Sequence, residues 1–137
     1  MVHALKQIHN LLSPTGRLID MHPNGEPPPI TVRIGEEQHL VGWVRELSDY
    51  EAYALADEAL KTAVSRNLYQ MQSQDTFAFI TICDTLADLQ HYLANEWSDA
   101  FLEDLVAMQI ESMMRAPTSD TEIILKEIVK ISHLQPQ

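Results

Sequence analysis

The run TFAFITIC, residues 76–83, constrains this chain more than any other stretch. It carries no charge, is rich in β-branched and aromatic residues, and puts apolar side chains on both faces of an extended backbone. The pattern predicts a strand near the middle of a sheet, so the rest of the chain has to supply neighbours and cover for it. With 137 residues the chain is long enough for one core, and a single domain over 1–137 is expected. Cys83, at the end of the run, is the sole cysteine and cannot form an internal disulfide; it reads as a small buried core residue.

The other elements follow from periodicity and punctuation. Val2, Leu5, Ile8 and Leu12 recur at helical spacing, and Pro14 and Gly16 stop the helix expected over about 2–12. Residues 17–22 read as a short strand with Leu18, Ile19 and Met21 spread over both faces. The stretch PNGEPPP (23–29) has to turn, since proline lacks the ladder donor and Asn24-Gly25 favours a bend. Next, Ile30, Val32 and Ile34 alternate with Thr31 and Arg33, and HLVGWVREL returns with Val41 and Trp43 on one side, which predicts a β-hairpin over about 30–46.

Ser48 with Glu51 fits a capping box opening a helix over about 49–67, with Tyr53, Ala56, Leu60, Ala63 and Val64 in one stripe. Thr85 with Asp88 opens a helix over about 86–96, lined inside by Leu86, Leu89 and Leu93 and closed by Trp97. Ser98 is the expected cap of a helix over about 99–115, where Leu102, Leu105, Val106, Gln109 and Met113 share a face. A loop is expected over 116–120, and TEIILKEIVKIS (121–132) reads as a long strand because of its isoleucine and valine content. The sum is an α+β fold: a small mixed sheet with helices packed on it and a hairpin inserted after the first strand.

Charge and motif content narrow the function classes. A formal net charge of −11 repels phosphate backbones and anionic lipid heads, which argues against a nucleic-acid-binding face. No apolar stretch reaches membrane-spanning length and no secretory leader pattern opens the chain, so a cytoplasmic protein is expected. The six histidines, at 3, 9, 22, 39, 91 and 133, show no metal-ligand spacing, and no metal is expected. There is no phosphate-binding glycine loop and no nucleophile-elbow motif.

What remains is a short list of candidate residues. Asp20 and His22, two apart at the end of a strand, share a face, and a histidine beside a carboxylate is the usual form of a general base. Ligands in open α/β sheets collect at the carboxyl ends of strands. His22, Asn24, Trp43 and Asp84 are therefore the candidates for contacts with a small-molecule substrate. Each has a plainer alternative: a strand-end residue for His22, a turn for Asn24, core packing for Trp43 and a helix cap for Asp84. Met108, Met113 and Met114 read as core or interface filler, and Glu36-Glu37 as solvated charge on a turn.

The order of elements, with the words ALKQIHNLLSPTGRLIDMHP and FAFITICDTLADLQHYLANEW in it, resembles the C-terminal half of a class I S-adenosylmethionine-dependent methyltransferase. In that family a helix and a proline-glycine turn lead into the fifth strand of a Rossmann-like sheet; here the turn is Ser13-Pro14-Thr15-Gly16. The resemblance implies that 76–83 is the sixth strand and 121–132 the seventh, antiparallel to the rest. The four glycines, at 16, 25, 35 and 42, form no glycine-rich turn after a strand, and no acidic partner for a ribose is in place. The resemblance thus implies a substrate-side domain that enters the fold midway, binds no cofactor by itself and is inactive alone. A homodimer or a complementary methyltransferase half is the expected partner. The rival expectation is a non-catalytic binding or oligomerisation module.

Overall fold

The computed structural model describes residues 1–115 and 120–137. Among them are four helices and seven strands. The loop expected over 116–120 lies, apart from Asp120, outside the described residues. No described helix is long and apolar enough to cross a membrane. The chain divides into two compact units, the first from 1–26, 51–77 and 128–137, the second from 27–50 and 78–127. Two long strands, β5 (Tyr69–Cys83) and β7 (Thr121–Pro136), contribute residues to each.

The first unit contains α1 (Val2–Leu11), β1 (Leu18–Pro23), α2 (Glu51–Ser65) and parts of β5 and β7. β1 runs antiparallel to β7, with Leu18 opposite Leu134 and Pro23 opposite Val129. β5 also pairs with β7. The Gln137 N–H donates to the Leu68 carbonyl at 3.1 Å and Gln74 Nε2 donates to Ser132 Oγ at 3.0 Å, so β5 too runs against β7. The three strands expected to share a sheet do share one. Its core joins Leu5 of α1, Ala59, Leu60 and Ala63 of α2, Tyr69 of β5 and Leu134 of β7. Tyr69 is fully buried and donates its hydroxyl to the Leu5 carbonyl at 2.8 Å, which satisfies its one polar atom inside the core. On the other face of β1, Ile19 and Met21 are exposed.

The second unit is built on the hairpin of β2 (Pro29–Ile34) and β3 (Glu37–Trp43), which turns at Gly35, where φ is +62°. β2 lies antiparallel to the first part of β7, from Ile30 opposite Leu125 to Ile34 opposite Thr121. α3 (Leu86–Glu96) and α4 (Asp104–Met114) contribute Leu89, Leu93, Val106 and Ile110 to a core with Ile30, Val32, Val41, Val44, Cys83, Ile123 and Leu125. Thr85 caps α3, its Oγ1 accepting from the Asp88 N–H at 3.1 Å.

Several expectations are corrected. The sheet expected to be mixed is antiparallel, because β1 and β2 both run against β7 and a hairpin is antiparallel by construction. Residues 76–83 do not lie mid-sheet: among the described residues β5 pairs only with β7, and most of its side chains are exposed. The helix expected over 99–115 starts at Asp104. Residues 100–101 instead form β6 (Ala100–Phe101), paired with β4 (Arg45–Glu46), and Leu105 is exposed while Val106 and Ile110 are buried.

The entry to α2 is also different. Ser48 does not cap it; its hydroxyl donates to Glu46 Oε2 at 3.3 Å and Asp99 Oδ2 at 3.1 Å. The chain instead enters through Asp49 and Tyr50, both at positive φ, and the buried Tyr50 hydroxyl donates to the Val44 carbonyl at 2.7 Å. Such a backbone persists only where the surroundings fix it, and Tyr50 does the fixing. α2 ends at Ser65, two residues earlier than expected, and is closed by a left-handed Asn67 whose N–H donates to the Val64 carbonyl while the Leu68 N–H donates to that of Ala63.

Candidate functional site

In the first unit, strand alternation and register assemble a polar cluster. Leu18, Asp20 and His22 share one face of β1, and the register sets Leu134, Ser132 and Lys130 opposite them. Leu18 and Leu134 join the core under the helices. One step along each strand the apolar layer gives way to Asp20 opposite Ser132, then His22 opposite Lys130. α2 lies over this row and contributes Asp57, one turn before Leu60 of its buried stripe.

The cluster is closely bonded. His22 Nδ1 lies 2.6 Å from Asp20 Oδ2, and His22 Nε2 lies 3.1 Å from Asp57 Oδ1. The other Asp57 oxygen accepts from Lys130 Nζ. The His22 side chain is 10% exposed; its partners Asp20 and Asp57, and Lys130 beyond Asp57, are about a quarter exposed. Burial alone would push the Asp57 carboxyl up. The hydrogen bonds from Lys130 and His22, with the positive charge they bring, outweigh it and hold that carboxyl below its ordinary range. Through contacts at both ring nitrogens the His22 side chain ties β1 to α2, and the Lys130 ammonium, donating to Asp57, ties α2 to β7.

Beside Asp57 opens a groove of about 310 Å³, floored by Leu60, Val64 and Met71 and edged by Lys61, Ser65 and Gln74. It offers an apolar floor with a few polar groups at the rim, the usual composition of a small-molecule site. Among the described residues no group of three or more histidine, cysteine or acidic side chains is arranged to hold a metal.

Of the candidates named from sequence, the structure brings Asp20 and His22 into direct contact. Asn24 serves the turn: its Oδ1 accepts from the Glu26 N–H at 3.0 Å and its own N–H donates to the Ile128 carbonyl at 2.8 Å. Trp43 and Asp84 belong to the second unit and are exposed. Trp43 does not pack in the core as its spacing from Val41 suggested. A register shift opposite Ile30 and Thr31 leaves Val41 and Gly42 both buried and turns Trp43 outward. Asp84 does not cap α3, since Thr85 holds that position. Sequence reasoning missed Asp57, Lys130, Ser132 and Gln74. The one available signal was an acidic residue flanking the apolar stripe of α2.

The chain matches no protein-family model, no curated protein and no solved structure.

Proposed function

We propose that this chain is the substrate-side part of an S-adenosylmethionine-dependent methyltransferase-like fold and relies on a partner for the cofactor. The observation that supports the reading is the common sheet of β1, β7 and β5, with β7 antiparallel to β1. The resemblance implies that arrangement for the fifth, seventh and sixth strands of the family. Two further features agree with it. Among the described residues β1 pairs only with β7, and its exposed Ile19 and Met21 lie on the face that α1 and α2 leave bare. A complementary half would extend the sheet from that edge and cover that face. The groove beside Asp57 is then the place for a small-molecule substrate, in a cytoplasmic protein with no activity of its own.

The test is a titration of the chain with S-adenosylmethionine, followed by calorimetry and by melting temperature. Neither heat nor a shift is expected; saturable binding by the chain alone overturns the reading.

A second reading, a non-catalytic binding or oligomerisation module, is favoured by one observation. Both nitrogens of His22 are already engaged by the carboxylates of Asp20 and Asp57, so the ring has no free nitrogen with which to take a proton from a ligand. Under this reading His22→Ala lowers stability and leaves ligand affinity at the groove unchanged.

A further inference from the structure

We infer that the bare face of the sheet in the second unit binds an anionic amphiphile, a single carboxylate on an aliphatic chain, with the carboxylate at Lys126 and the chain along Ile124, Ile80 and Ile82. The site follows from strand alternation. Ile30 and Val32 of β2 and Ile123 and Leu125 of β7 are fully buried in the core with α3 and α4, so Arg33, Ile124 and Lys126 fall on the other face. On β5, Cys83 joins that core, which turns Ile80 and Ile82 to the same bare face. These side chains line an open groove of about 410 Å³, all of it within the second unit. That volume suits a small molecule. Ile80 and Ile82 are 45% and 56% exposed, so the unit leaves its apolar wall for a ligand to cover.

The occupant is identified by charge. The chain has 20 acidic and 9 basic residues, yet among the described residues that line this groove Arg33 and Lys126 are cationic and none is acidic. Arg33 is already paired, its Nη2 donating to Glu122 Oε1 at 2.7 Å, so that end of the groove is neutral. Lys126 is exposed and has no ion pair among the described residues, so the positive charge left to complement is there. The field of the whole chain repels an anion in proportion to its charge, so a polyanion is kept away and a single carboxylate is opposed least. From Lys126 to the level of Glu122 the strand runs about 13 Å, the length of an extended decanoate. This inference does not rest on the methyltransferase reading, which concerns the groove beside Asp57 in the first unit. Binding of S-adenosylmethionine by the chain alone would remove that reading and leave this site standing.

The experiment is calorimetric titration of the full chain with decanoate, held below its micelle threshold, and in parallel with decylamine. One saturable site is expected for decanoate and none for the amine, although the overall charge of the chain favours the amine. Lys126→Glu is expected to weaken decanoate about tenfold and to bring in binding of decylamine. Its melting curve without ligand is expected to match that of the parent, because Lys126 is exposed and unpaired. Ile82→Glu sets a carboxylate in the apolar wall and is expected to abolish decanoate binding, whereas Ile82→Leu is expected to retain it. Amide resonances of residues 80–82 and 124–126 are expected to shift on titration. No saturable binding of decanoate, equal binding of the amine by the parent chain, affinity indifferent to Lys126→Glu and Ile82→Glu, or shifts confined to Met71 and Gln74 in the first unit would each overturn the inference.

Discussion

Asp57 is the residue whose ionisation matters most to the first unit. Its carboxyl titrates below its ordinary value of 3.8, so the folded state holds its proton less tightly than the unfolded chain. The stabilisation from its charge is therefore complete above that pH and is lost as pH falls through the lower folded value. Asp57→Asn keeps the shape and removes the charge, leaving Lys130 and His22 without their shared anion. Urea unfolding at pH 7 is expected to show a loss of about 1–3 kcal/mol, and the gap to the parent protein is expected to begin closing below about pH 4 and to vanish once the folded carboxyl is protonated. A gap that persists in acid would mean that packing, not charge, holds the cluster. The pair Asp20 and His22 was legible from a spacing of two on a strand. Asp57 and Lys130 were not, because a helix face and a strand register bring them in from 35 and 73 residues of sequence separation.

At the level of elements, local signals were reliable where the structure that answers them is also local. α3 has the boundaries its Thr85 cap predicts, since the cap and the N–H it accepts from, that of Asp88, are three residues apart in sequence. The segment after it was misread because β6 owes its existence to β4, more than fifty residues earlier, and an extended pair preempts the first helical turn. Ser48 failed as a cap for the same reason, being drawn to Asp99. The bulge in β3 depends on α4: a Cβ on Gly42 would come within 2.5 Å of Val106 Cγ2, so the strand and the helix approach closely only because that residue is glycine. Gly42→Ala is expected to cost about 1–3 kcal/mol in chemical denaturation. Val106→Ala in the same background is expected to recover part of it, giving a coupled double-mutant cycle; strictly additive losses would show that the contact is not the cause.

On the scale of the whole molecule, a net charge of −11 gives salt a definite sign of effect on any association between copies. Screening weakens repulsion between copies and leaves strand pairing and apolar contact in place. Raising sodium chloride from low to physiological levels is expected to tighten self-association, read as a rising weight-average mass in sedimentation. An interface held by ion pairs would loosen instead. The exposed strand β5 is the largest departure from the reading of the sequence. A strand that is apolar on both faces looks alike whether its own sheet or a second molecule buries it, and periodicity alone cannot tell one from the other.

By itself the sequence determined what short-range chemistry determines: where the chain bends at proline and glycine, which of the longer segments are helical or extended, and that a single cysteine forms no disulfide within the chain. Only the tertiary structure decided which strands are neighbours, that among the described residues β5 is paired only with β7, and that Asp57 bridges His22 and Lys130. The reason is physical. Caps, turns and hydrophobic periods act over a few residues of backbone, whereas pairing and ionic contact are fixed by how whole elements bury their apolar faces. No local pattern encodes that arrangement.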